Sequence, residues 1–190
     1  MTKNNKPKLV LIRGLPGSGK STISDALKDE FHDKVTLLDP DATDYDSQEY
    51  KDFSALKKSE MIEEKFHPYR FLREQAYRAI DNNQIVVWNQ AFTNLDGLQK
   101  TIVNLENYAK ENGEELPVLI VEVVIDIDIA KKRVFERASK GGHDVADTDF
   151  DRFINDYRSF KDEGFNVIEV NGKDKIRDIV AKITDKINNL

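Results

Sequence analysis

One short stretch limits this chain to very few folds. It reads Gly14-Leu15-Pro16-Gly17-Ser18-Gly19-Lys20-Ser21-Thr22. An apolar run, residues 8–12, precedes it, and Ile23, Ala26, Leu27 and Phe31 follow at helical spacing. The pattern is G-x-x-x-x-G-K-[ST], a phosphate cradle set between a buried strand and a helix. Gly14, Gly17 and Gly19 let the backbone take positive φ and approach a ligand closely. Successive N–H groups then face inward as a nest for phosphate oxygens, with Pro16, Ser18 and Thr22 inside the same cradle. The helix that starts near Gly19 adds its positive end. Lys20 brings a mobile cation to the β- and γ-phosphates, and Ser21 offers its hydroxyl to Mg²⁺. A glycine-rich turn matches this pattern by chance in on the order of 1% of chains of this length. Such a turn has no need of the strand before it and the helix after it.

The rest of the chain repeats the alternation. Residues 35–38 form a second strand ending at Asp39, and the acidic stretch 39–52 reads as a loop. Residues 61–80 have helical periodicity that Pro68 must kink or split. A third strand spans 85–88, a helix capped by Asn94 carries Leu95 to Ala109, and 118–125 is the strongest strand, interrupted by Glu122. Asp128 caps a helix reaching about Ala138, which Gly141 and Gly142 break. Phe150, Phe153, Ile154, Tyr157 and Phe160 mark one face of a further helix. A fifth strand, 165–170, and a helix through Ile176 and Ile187 finish the chain. Continuous apolar strands alternating with helices predict an α/β fold, a parallel sheet covered on both faces.

The 190 residues suit a single domain, 1–190. With no cysteine, disulfides, thiolate metal sites and cysteine nucleophiles are excluded. The net charge of −6 argues against a broad nucleic-acid-binding face. No run is long enough to span a membrane, and the polar start lacks a signal-peptide core, so a cytoplasmic protein is expected. Nothing in the sequence sets an oligomeric state.

Residues 9–22, with a strand ending in Asp39-Pro40-Asp41, resemble the zeta-toxin-like and polynucleotide-kinase-like P-loop kinases. The basic helix before Gly141-Gly142-His143 is similar to their lid region. The resemblance implies a P-loop NTPase fold with a five-stranded sheet of the nucleoside-monophosphate-kinase kind. It also implies a mobile lid at about 138–150 and ATP- and Mg²⁺-dependent phosphorylation of a hydroxyl. By similarity to the strand-Asp-x-Asp pattern it assigns the catalytic base to Asp41, and it singles out Arg137, then Arg133, as lid arginines. It sets the loop Asn171-Gly172-Lys173 beside the adenine.

The residues themselves support parts of this picture. A carboxylate at the end of the second strand sits where open α/β sheets bind ligands, and can accept a proton from an attacking hydroxyl. Asp39 either holds Mg²⁺ through water or fixes the loop; alternatively both aspartates are ordinary acidic loop residues. Arg133 and Arg137, four apart, share a helix face that either stabilises phosphoryl charge or is simply solvated. His67, Arg70 and Arg73 read first as a solvated face and second as a grip on an anionic acceptor. One departure stands out: the third strand ends in Asn89-Gln90, where a P-loop ATPase carries an aspartate for Mg²⁺. Either Asp39 or Asp126 compensates, or the amides face the acceptor. The leading expectation is a kinase for a small-molecule hydroxyl on a sugar, nucleotide sugar or nucleoside. The alternatives are a polynucleotide 5′-hydroxyl kinase and a regulatory ATP-binding or ATP-hydrolysing module.

Overall fold

The computed structural model describes residues 6–141 and 146–190. Five strands form one sheet: β1 (Lys8–Arg13), β2 (Val35–Leu38), β3 (Ile85–Asn89), β4 (Val118–Val124) and β5 (Val167–Asn171). All pairs are parallel, in the order β2-β3-β1-β4-β5. The helices are α1 (Lys20–Phe31), α2 (Gln48–Ser59), α3 (His67–Asp81), α4 (Leu95–Glu111), α5 (Ile127–Ala138), α6 (Asp147–Asp156) and α7 (Ile176–Asn188).

The period of two in β1 divides the core. Leu9 and Leu11 join α3 and α4 on one face. Val10 and Ile12 join α1 and α7 on the other. Each fully buried aliphatic side chain contributes about 1.5–3 kcal/mol, so a strand buried on both sides reads as an unbroken apolar run. A smaller cluster of Ala130, Val134 and Phe150 holds α5 against α6.

Four expectations change. Asp128 does not cap α5: it lies inside the first turn, and Asp126 precedes the helix without a side-chain cap bond. The acidic stretch is not all loop, because α2 begins inside it at Gln48, where Ser47 Oγ accepts the Tyr50 N–H at 3.3 Å. Pro68 does not kink a long helix; it occupies the first turn of α3, where its missing N–H is harmless. The helix of residues 150–160 ends at Asp156, and Tyr157 is extended. Tyr157 and Phe160 pack by the chain's return toward the sheet, not by helical spacing. Of the stretch 138–150 read as a lid, Gly142 and His143 lie outside the described residues.

Candidate functional site

The phosphate loop leaves β1 at the sheet centre and enters α1. Gly19 is the residue before the helix, with φ 102. Gly17 has φ 79, and a Cβ there would strike the carbonyl of Ala130 in α5. Side chains are therefore excluded at Gly17 by both conformation and space. Lys20 Nζ donates to the carbonyl of Leu15 at 3.1 Å. Burial lowers the Lys20 pKa to about 8; Asp41 and Asp39 oppose that shift, and nearby Arg137 adds to it.

Beside Lys20, the ends of two strands meet the first turn of α1. Asn89, 3% exposed at the end of β3, donates through Nδ2 to Ser21 Oγ at 3.1 Å and to Asp39 Oδ2 at 2.5 Å. Asp39 Oδ1 accepts the Asp41 N–H at 2.9 Å. Burial raises the Asp39 pKa, and its hydrogen bonds act against that. The Asn89 Oδ1 is buried without a partner among the described residues. The Ser21 hydroxyl and the Asp39 carboxylate, both held by the Asn89 amide N–H, make an oxygen-bearing corner beside the phosphate loop. Mg²⁺ fits such a corner, since it takes one or two carboxylate contacts together with phosphate oxygens and water. Asp126 does not belong to it: Asp126 pairs with Lys173 at 2.7 Å.

A cavity of about 1210 Å³ opens over the loop and is lined by residues 16–22, Asp39 and Asp41. Among the described residues, seven basic and three acidic side chains line it, in a chain whose net charge is −6. Fixed positive charge is thus concentrated where polyanions would sit. Arg70 and Arg73 of α3 face the cavity, against the solvated-face expectation, and Arg73 Nε is buried without a partner among the described residues. His67 does not join them; it is buried, with its ring bonded to Ser54 Oγ and the Ile62 carbonyl.

Across the loop, Arg137 and Arg133 both line the cavity. Arg133 Nη1 donates to the carbonyls of Gly172 at 3.1 Å and Gly17 at 3.5 Å, so it fastens two loops together. Asn171 does not line the cavity: its Oδ1 accepts the Lys173 N–H at 3.0 Å, and Gly172 and Asp174 form the wall there. Gly14 lies at the root of the loop, packed against Val123 and Ser18. Lys100, Thr101 and Asn104 of α4 and Arg152 of α6 also line the cavity, though nothing in the sequence singled them out. The signal for the α4 residues is a polar face opposite the buried Leu98, Ile102 and Leu105, the pattern of any amphipathic helix.

The zeta toxin family model matches residues 1–187. No curated protein matches the chain in sequence. Among solved structures, a gluconokinase from Sinorhizobium meliloti 1021 aligns with TM-score 0.58 and 15% identity, covering 96% of this chain and 93% of that one. A deoxyadenosine kinase from M. mycoides with bound dATP aligns with TM-score 0.54 and 16% identity, covering 94% and 98%. A chain of the Pnkp1/Rnl/Hen1 RNA repair complex aligns with TM-score 0.62 and 15% identity, covering 87% of this chain and 48% of that one. At such identities the likeness is one of fold.

Proposed function

Because the chain belongs to the zeta toxin family, we propose that it is a kinase moving the γ-phosphoryl group of ATP onto a hydroxyl of a small anionic molecule, such as a nucleotide sugar. The observation that carries the reading is that the phosphate loop and Asp41 face one cavity whose charged groups are mostly basic. The loop amides and Lys20 hold the triphosphate; Ser21 and Asp39 would hold Mg²⁺, which would neutralise charge on the phosphates. Asp41 accepts the hydroxyl proton. A bond forms from the acceptor oxygen to the γ-phosphorus, the bond to the β,γ-bridging oxygen breaks, and ADP leaves. Arg137, with Arg133 behind it, faces the charge spread over the transferring group. Arg70, Arg73 and Lys100 supply the grip on the acceptor's anionic part.

Incubation with ATP, Mg²⁺ and a metabolite extract should yield a product heavier by one phosphoryl group. Asp41→Asn should lower kcat by about 10²–10⁴-fold, the usual range for a general base, and keep ATP affinity. Lys20→Ala should lose both. ADP formation with water as the sole acceptor would overturn the reading. The basic cavity also favours a polynucleotide 5′-hydroxyl acceptor, and an oligonucleotide in the same assay separates the two.

A further inference from the structure

The central strand of the sheet ends in a buried arginine. Arg13, the last residue of β1, is 0% exposed, and Glu122, its register partner in β4, is 1% exposed. Such a pair is weak evidence for stability, because desolvating two charges offsets their attraction. Its contacts are more informative. Arg13 Nη1 donates to Glu122 Oε1 at 2.5 Å and to the Arg158 carbonyl at 2.8 Å. Its Nε donates to the Phe92 carbonyl at 3.1 Å. The rings of Phe160 and Tyr157 lie 3.6 and 4.4 Å from the guanidinium carbon. Glu122 accepts the Phe160 N–H at 2.7 Å and the Ser159 hydroxyl at 2.6 Å.

Two segments distant in sequence therefore close on one ion pair. Residues 90–94 line the cavity between β3 and α4. Phe92 there holds φ 44, a left-handed setting that an aromatic residue keeps only when its surroundings hold it. Residues 157–160 bring the chain back from α6, whose Arg152 and Phe153 line the same cavity. Neither Arg13 nor Glu122 lines the cavity.

We infer that Arg13 and Glu122 are positioning residues that couple the β3–α4 loop to the return from α6 and set both against the phosphate loop. Their catalytic consequence rests on the kinase reading, whereas the coupling itself is a property of the empty protein. The test is hydrogen exchange on the full chain, with Mg-ADP affinity measured alongside.

Ser159→Ala removes one hydroxyl from Glu122 and leaves β1 and β3 untouched. Exchange should rise about tenfold at 157–160 and about threefold at 90–94, with Mg-ADP affinity held within about threefold. Arg13→Lys keeps the charge and loses the planar fork, so it should loosen both segments together. In the kinase assay it should raise the acceptor KM and leave the ATP KM in place. Loosening of 157–160 alone in Ser159→Ala refutes the coupling, as does silence of both segments. If Arg13→Lys fails to fold, Ser159→Ala decides. Coupled exchange in a protein that transfers no phosphoryl group would sink the kinase reading and leave the coupling standing.

Discussion

Lys20 meets its ligand with its charge partly discouraged. Burial brings its pKa from 10.5 to about 8. A bound triphosphate favours the ammonium form and raises that value again. Nucleotide binding should therefore take up a proton above about pH 8, and affinity should fall as pH climbs through that same window. Calorimetry in buffers of different ionisation enthalpy measures the uptake, and Lys20→Met should abolish it. The empty protein has its own sign: the folded pKa lies below the unfolded one, so the cost of burying the charge is full below about pH 8. That cost is relieved as pH rises toward 10.5. The place of Lys20 and Ser21 at the cavity was legible from the loop motif, and that of Asp39 and Asp41 from the end of the second strand. Asn89 was legible as a departure but not in its use, since an amide can serve either as donor or acceptor. The Arg13–Glu122 pair was hidden, because no local pattern joins residues 109 positions apart.

Among the elements, the strands were the most readable, because burial on both faces leaves only apolar residues to choose from. Helix α2 was not: its stripe of Tyr50, Phe53 and Leu56 is short, none of these residues is fully buried, and it follows directly on an acidic run. Its cap Ser47 was a second sign. The loop after β5 meets the cavity through Gly172 and not through Asn171, and its contacts run through backbone, which sequence does not display. A Cβ on Gly172 would strike the Ser18 carbonyl. Gly172→Ala should therefore push that loop off the phosphate cradle and break the Arg133 bond to it. Nucleotide affinity should fall by about tenfold or more, against a Tm loss of a few degrees, roughly what 1 kcal/mol does in a chain of this size. Isothermal titration and a thermal melt of the same variant separate the two effects.

For the molecule as a whole, net charge was a poor guide to the site. The total of −6 averages over a surface whose acids lie mostly outside the cavity, while the cavity itself gathers an excess of basic groups. An empty protein carrying that excess should be stabilised strongly by a polyanion. Mg-ATP at about 100 times its Kd contributes about 2.7 kcal/mol, which should raise Tm by roughly 5–11 °C for 150–250 residues. A melt with and without nucleotide checks this, and Lys20→Ala should show no shift. The backbone of α5 at Ala130 and the side chain of Arg133 both rest on Gly17. The base of that helix is riveted in place. Any swing that carries Arg137 toward a bound phosphate must pivot beyond Arg133, by bending or unwinding the last turn. A chemical staple across residues 127–133 would then be silent, and one that spans 134–138 would jam the enzyme.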